Sequence, residues 1–235
     1  MKKNQLKKVI AKLDKEFPNA KCALDHKNAF ELLIATILSA QCTDKRINMI
    51  TPSLFRMFPT PEKMAKASQG EMERLIKSAG FFRQKAKSLI STSQSLVENF
   101  GGEVPSIMDD LTQLRGVARK TANVVLGDAF GISVGIVVDT HVKRISKLLG
   151  LTKQSDPAKI EKDLCKIIPE EFWIKFPHWL ILHGRKTCVA RRPQCLQCPI
   201  LKECPRIGLK RLPMAKAKRS LSFDELTEAA VNTQA

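Results

Sequence analysis

The sequence has no apolar run long enough to cross a membrane. Its longest, residues 32–38, falls far short of the ~20 apolar residues that a membrane-spanning helix requires. The N-terminal stretch MKKNQLKKVIAKLDKEF carries scattered lysines and no apolar core, so we expect no secretory signal. These absences predict a cytoplasmic protein without a membrane partner.

Acidic residues are scarce relative to basic ones. The chain has 23 Asp and Glu against 40 Lys and Arg, which gives a net charge of +17. Because hydrophobic residues still make up 43% of the chain, this is the composition of a globular protein and not of a disordered one. An excess of positive charge this large predicts a polyanionic partner, and nucleic acid fits better than a membrane surface.

The cysteines lack the even count and regular spacing of a disulfide framework. There are seven of them, and an odd number without regular spacing fits a reducing cytosol better than a secreted domain held by disulfides. Cys22, Cys42 and Cys165 stand alone, and we expect them to be small buried hydrophobic residues.

The remaining four cysteines are Cys188, Cys195, Cys198 and Cys204, in a C-x6-C-x2-C-x5-C run. Thiolates this close in sequence can converge on one metal centre, and soft sulfur ligands favour either an iron–sulfur cluster or zinc. Zinc sites usually show paired C-x2–4-C ligands, and this run contains only one such pair. The run is also rich in Arg and Lys, so the metal centre is expected where a polyanion binds.

Hydrophobic periodicity predicts an almost entirely helical chain. Residues 28–40 are apolar nearly all round and predict a buried central helix, and residues 106–109 resemble a capping box at a helix start. The apolar residues 134–138 have no partner strand, so we expect a buried connector. Residues 212–235, basic and then acidic, are expected to be a mobile tail. The predicted helices span 1–17, 28–40, 45–58, 61–67, 69–79, 84–100, 106–114, 119–130, 140–149, 157–168 and 173–183.

Residues 111–126, LTQLRGVARKTANVVL, predict two helices joined by a tight turn at Gly116. Glycine takes a left-handed conformation at little cost. After Ala118 the second helix begins with Arg119 and Lys120, and the free N–H groups at a helix start can hold a DNA phosphate.

Lys120 and Asp139 are the candidate catalytic pair. A lysine in a first helical turn lies against the helix dipole, which disfavours its ammonium form and suits a nucleophilic amine. Asp139 directly precedes a helix, where it can cap the helix and, as an ionised carboxylate, stabilise a cationic transition state. The residues alone leave a plain phosphate-binding role for Lys120 and a plain capping role for Asp139 open.

Four motifs together resemble the endonuclease III family of DNA glycosylases. They are LRGVARKTANVV, VDTHV, LSAQCTD at 38–44, and HGRKTC running into the cysteine run. The resemblance covers roughly residues 1–206.

The resemblance implies a two-domain, all-α helix–hairpin–helix glycosylase fold. A six-helix domain would cover 22–132, and 1–21 with 133–211 would form a domain whose four cysteines bind a [4Fe-4S] cluster. It implies a monomeric base excision repair enzyme, associated with the nucleoid, that removes oxidised pyrimidines from double-stranded DNA. The Lys120 amine would form a Schiff base at C1′ and cut the strand by β-elimination, with Asp139 as the essential carboxylate.

The resemblance also implies DNA contacts. Gln41 would fill the space left by the extruded nucleotide, and Phe81 would wedge into the base stack. Without the resemblance, Phe81 and Phe82 would be expected in the core, Gln41 would be an ordinary helix end and His141 a structural histidine. The full set of expected DNA contacts is Gln41, Phe81, Gly116, Ala118, Arg119, His141, Lys186, Arg191 and Arg192.

The hairpin departs from the family pattern L-P-G-V-G at two positions, Arg115 and Ala118. Arg115 loses the rigidity of proline, and Ala118 fits only if its backbone is not left-handed. Cys42 also stands where alanine is common in the family, a mild change.

Other functions fit the sequence less well or remain as alternatives. The adenine-mismatch branch lacks a lysine at position 120 and has a large additional domain, so it fits poorly. A thymine-mismatch glycosylase stays open. A non-enzymatic DNA-binding scaffold and a ferredoxin-type electron carrier are the alternatives from other classes, and ferredoxins are acidic with a more compact cysteine run.

Overall fold

The computed structural model describes residues 1–209, and all regular structure in that range is helical, as predicted. The eleven α-helices of this range are α1 Lys3–Glu16, α2 Ala29–Ser39, α3 Asp44–Met57, α4 Pro61–Ala65, α5 Gln69–Ile76, α6 Phe82–Phe100, α7 Met108–Gln113, α8 Arg119–Phe130, α9 Thr140–Leu148, α10 Pro157–Ile167 and α11 Lys175–Lys186. The expected mobile tail, 212–235, lies outside the described residues.

Polar side chains define most helix starts. Asn28 caps α2 by accepting a hydrogen bond from the Glu31 amide, and Ser68 forms a capping box with Glu71 at α5. The expected capping box at 106–109 is wrong. Helix α7 begins at Met108 without a side-chain cap, and two acidic residues in its first turn favour the start through the helix dipole instead.

Helix α2 is the centre of the first of two hydrophobic cores. Its residues from Phe30 to Leu38 are all buried, and it packs against α3, α6 and α8. The buried residues of this core lie between Leu24 and Leu126 in the sequence. The helix that is apolar nearly all round is thus enclosed by its neighbours.

The second core joins the N-terminal helix to the C-terminal half of the described chain. Leu13 of α1 is fully buried with Phe176 and Trp179 of α11, and the core extends to Ile200. The segment 134–138 contributes to this core as an irregular connector, since Ile136 and Val138 are buried while Val134 is exposed.

The three lone cysteines, Cys22, Cys42 and Cys165, pack at the edges of the two cores. Each is partly buried, so the expectation of small buried residues is met in part. Within residues 1–209, no helix combines the length and the apolar character needed to cross a membrane.

Candidate active site and cysteine loop

The hairpin between α7 and α8 turns at Gly116. Its φ of +82° is left-handed, as the sequence predicts. The Thr92 hydroxyl donates a 2.7 Å hydrogen bond to the Arg115 carbonyl, and the Val117 amide donates to the Leu114 carbonyl at 3.1 Å. Ala118, with φ −88° and ψ 167°, is extended, so alanine fits this position without strain.

Lys120 is the second residue of α8 and is exposed. Ala118, which precedes the helix, has no side chain that could cap it, and the first turn holds no acidic residue. The first N–H groups of a helix have no intrahelical partner. The start of α8 therefore presents unpartnered amide dipoles, with the exposed Lys120 side chain in its first turn.

Asp139 caps α9, as predicted. Its Oδ1 accepts a 2.8 Å hydrogen bond from the Val142 amide, and the side chain is half-buried. Because the cap fixes the carboxylate at the helix start, its second oxygen is left for another partner.

One cleft of about 320 Å³ brings the catalytic candidates together. Lys120 and Asp139 both line it, although they lie at the starts of two different helices, of which α9 contributes Val142 to the second core. Gln41, which is exposed and has a φ of +55°, lies at the same cleft. Apolar side chains complete the wall, including Val124, Val137, Pro177, Ile181 and Leu182.

The four clustered cysteines line one small apolar cavity between α9, α11 and the loop that follows α11. Burial raises the pKa of Cys188 and Cys204, and raises that of Cys198 to about 11. Arg144 Nη1 donates to Cys188 Sγ at 3.5 Å, which favours a thiolate there.

The chemistry of this cavity fits a metal cluster. Two polar atoms of its lining, His183 Nδ1 and Arg206 Nη1, are buried without a hydrogen-bond partner. Across residues 1–209, no three His, Cys, Asp or Glu side chains converge closely enough for a single metal ion. Four cysteines around one cavity offer the soft sulfur ligands that iron–sulfur clusters and zinc both use.

Comparison with known proteins gives the family. Residues 34–170 match the model of the HhH-GPD superfamily base excision DNA repair proteins. The chain is 50% identical over 204 residues to endonuclease III of Synechocystis sp., an alignment that covers 87% of this chain and 93% of that protein. The chain belongs to the HhH-GPD superfamily of base excision DNA repair proteins.

Solved structures agree with this assignment. A non-covalent endonuclease III–DNA complex and a trapped endonuclease III–DNA covalent intermediate each superpose with a TM-score of 0.83 at 43% identity. Both cover 88% of this chain, and the chain covers 96% and 97% of theirs. The expected endonuclease III resemblance, fold class and enzyme class are confirmed: the protein is a DNA glycosylase with AP lyase activity.

Phe81 corrects the expectation that the residues alone support. It is 68% exposed with a φ of +46°, directly before α6, whereas Phe82 is half-buried against the first core. Core packing is therefore right for Phe82 and wrong for Phe81. A left-handed φ is uncommon for a bulky non-glycine residue such as phenylalanine.

Several expected DNA contacts lie away from the cleft and touch other side chains. Arg119 forms a bidentate pair with Glu161, at 3.0 and 3.3 Å, and Lys186 pairs with Glu16 at 2.6 Å. His141 packs against Gly184, and burial lowers its pKa. Arg191 and Arg192 are exposed in the cysteine loop.

The cleft also contains polar residues that the sequence did not single out. His178 Nε2 lies 2.9 Å from Asp128 Oδ1, and both side chains are nearly buried. Arg185 donates to Asp44 Oδ2 at 2.6 Å. Burial, and then the charge of Asp128, raise the pKa of the Cys22 thiol to about 12. Asp128 and His178 belong to different helices, so no local spacing could reveal their contact.

Proposed function

We propose that the protein excises oxidised pyrimidines from duplex DNA and then cuts the strand 3′ to the abasic site. The observation that carries this proposal is the shared cleft of Lys120 and Asp139. An amine and a carboxylate that line one cleft can act on the same sugar. The trapped covalent DNA intermediate of an endonuclease III with 43% identity supports a covalent route.

The damaged base must first leave the stack, which costs a few kcal/mol and less for a damaged base. Gln41 and Phe81 are proposed to offset this cost by filling the gap and wedging the stack. Both are exposed and stand at turns that precede a helix. The apolar cleft wall then receives the base.

Base loss passes through a transition state with oxocarbenium character at the sugar. The Asp139 carboxylate stabilises this positive charge. The Lys120 Nζ lone pair forms a bond to C1′ as the N-glycosidic bond breaks, and the base leaves with the bonding pair. Asp139 takes the proton that the amine gives up.

Ring opening gives a protonated Schiff base between Lys120 and C1′. The iminium acidifies the C2′ proton, and its removal expels the 3′ phosphate by β-elimination. Water then hydrolyses the Schiff base and releases the enzyme. A phosphate-binding lysine without this chemistry would leave the strand intact.

The DNA is proposed to bind across the hairpin and the cysteine loop. Gly116 and Ala118 would bring the backbone of the turn close to a phosphate, next to Arg119 and His141. Lys186, Arg191 and Arg192 would contact phosphates from the cysteine loop, and the net charge of +17 supports a large electrostatic term. For Arg119 and Lys186, DNA competes with the ion pairs to Glu161 and Glu16.

A [4Fe-4S] cluster is proposed on Cys188, Cys195, Cys198 and Cys204. It would hold the basic loop in shape and supply no step of the reaction. The two unpartnered nitrogen atoms of the cavity, His183 Nδ1 and Arg206 Nη1, support this proposal. Purified protein should be brown and contain iron, and colourless, iron-free but active protein would contradict the cluster.

The domain division at 22–132, and at 1–21 with 133–211, is supported by the two separate hydrophobic cores. A monomer that acts in the cytoplasm on nucleoid DNA completes the proposal.

A panel of duplex lesions tests the substrate. Thymine glycol, 8-oxoguanine paired with adenine, and a G:T mismatch are each offered to the intact protein and to Lys120→Ala. We expect excision and strand cutting at thymine glycol, and neither with Lys120→Ala. Faster excision at G:T would instead make the protein a thymine-mismatch glycosylase.

A further inference from the structure

Three non-glycine residues among those described adopt a left-handed φ, and two of them are Gln41 and Phe81. Such a conformation is strained for any residue with a Cβ and persists only where surrounding contacts enforce it. Gln41 and Phe81 are also the two residues proposed to enter the DNA stack. The contacts that enforce these turns are therefore of functional interest.

Lys85 supplies such contacts for the Phe81 turn. Its side chain is only 6% exposed, and its Nζ donates a 2.7 Å hydrogen bond to the Ala79 carbonyl. The side chain thus holds the carbonyl that directly precedes Gly80, and the Lys85 backbone amide makes the first helical hydrogen bond of α6, to the Phe81 carbonyl at 3.1 Å.

The buried ammonium has no carboxylate to balance it within residues 1–209. None of the ion pairs formed there includes Lys85, and burial lowers its pKa. Burying a lysine in this way is costly. The Lys85 ammonium makes no ion pair, and Lys85 does not line the catalytic cleft. The hydrogen bond to the turn is therefore the polar interaction that the structure shows for this ammonium.

Helix α3, which begins just after the Gln41 turn, packs against the 3-10 turn Lys77–Ala79 that precedes Phe81. The helix that follows one strained turn therefore contacts the element whose last carbonyl, that of Ala79, accepts the Lys85 hydrogen bond.

We propose that Lys85 is a positioning residue that holds the Phe81 turn in the shape that separates the DNA bases. This inference rests on the proposed role of Phe81. It predicts that Lys85 matters for extruding a paired base and not for the chemistry at C1′.

The test compares two substrates under single turnover. A duplex with thymine glycol requires extrusion of a base, whereas a preformed abasic site needs only the lyase step. Lys85→Met keeps the length and apolar stem but removes the donor. We expect base excision to fall about tenfold, the scale of one charge-assisted hydrogen bond, while lyase activity stays within about twofold.

A double-mutant cycle with Phe81→Ala separates positioning from general stability. If Lys85 acts through Phe81, the double variant excises no more slowly than the slower single variant. Multiplying losses, or an equal loss of lyase activity, would overturn the proposal. Lys87→Met, which removes an exposed lysine from the same helix, should leave both activities unchanged.

A second variant and a fluorescence measurement complete the test. If Lys85→Met does not fold, Lys85→Gln, which is neutral and shorter, is expected to give the same split. The fluorescence of 2-aminopurine placed beside the lesion should rise less with either variant than with the intact protein. An intact protein that excises no oxidised pyrimidine would refute the proposed function, whereas an active protein with unsplit variants would refute only the role of Lys85.

Discussion

Replacing Gly116 by alanine probes the hairpin turn with a single added carbon. The left-handed φ of +82° costs an L-residue roughly 1–2 kcal/mol. The new Cβ would lie 3.2 Å from both Cβ and Oγ of Ser88 and 3.5 Å from Cγ2 of Ile37. Both neighbours are buried in helices and have little room to move, so overpacking adds at least ~1 kcal/mol.

The total destabilisation is therefore at least about 2–3 kcal/mol, which for a chain of this length lowers the melting temperature by roughly 4–12 °C. Thermal unfolding followed by circular dichroism measures it. DNA affinity should fall as well, because the turn faces the phosphate that α8 is proposed to bind.

Two matched variants isolate the causes. Gly131 follows α8 with a φ of +68° and has no atom within 4 Å of its added Cβ, so Gly131→Ala carries only the backbone cost. Gly70, inside α5, has open space and no left-handed φ, and Gly70→Ala should stabilise by up to about 1 kcal/mol. If Gly116→Ala melts at the same temperature as Gly131→Ala, the contact with Ser88 does not restrict the turn and the reasoning fails.

The remaining predictions concern charge, the catalytic carboxylate and a thiol. DNA affinity should fall with salt by a log–log slope of about 0.9 per neutralised phosphate, and a flat response in a filter-binding titration would rule out the basic surface as the footprint. Asp139→Asn keeps the cap of α9, so its free energy of unfolding should lie within ~0.5 kcal/mol of that of the intact protein. Base excision should nevertheless be at least ~100-fold slower, and an unchanged excision rate would remove Asp139 from the mechanism. Because its pKa is raised to about 12, the Cys22 thiolate is scarce, so iodoacetamide at pH 8.5 should label native Cys22 at least ~100-fold more slowly than unfolded Cys22, and equal labelling by mass spectrometry would contradict its buried environment.

The sequence predicted the helices well because hydrophobic periodicity reports burial directly. The central helix at 28–40 is confirmed, and 134–138 is an irregular connector as predicted, although its Val134 is exposed. The predicted bounds of some helices were wrong. The last predicted helix, at 173–183, runs from Lys175 to Lys186, because a short 3-10 turn precedes it and Trp173 lies outside the helix.

The site was only partly visible in the sequence. Gly116 and the cap at Asp139 follow from local backbone chemistry, which neighbouring residues determine. Helix packing determines two other contacts of the site. One is the pairing of His178 with Asp128, and the other is the hydrogen bond from Lys85 to the Phe81 turn. Tertiary contacts of this kind leave no periodic signal in one chain.

Ala118 shows how the structure resolves a question that the sequence left open. Alanine replaces a glycine of the family turn, and its extended backbone shows that this position needs no left-handed residue. The hairpin keeps its shape because the left-handed conformation is confined to Gly116.

Borohydride trapping tests the central claim most directly. The intact protein is incubated with duplex DNA that contains one abasic site, and borohydride is added to reduce the Schiff base. We predict a covalent protein–DNA adduct whose linkage maps to Lys120 by mass spectrometry, and its loss in Lys120→Ala. An intact protein that forms no adduct, or a Lys120→Ala variant that is trapped equally well, would contradict the assignment of Lys120 as the nucleophile.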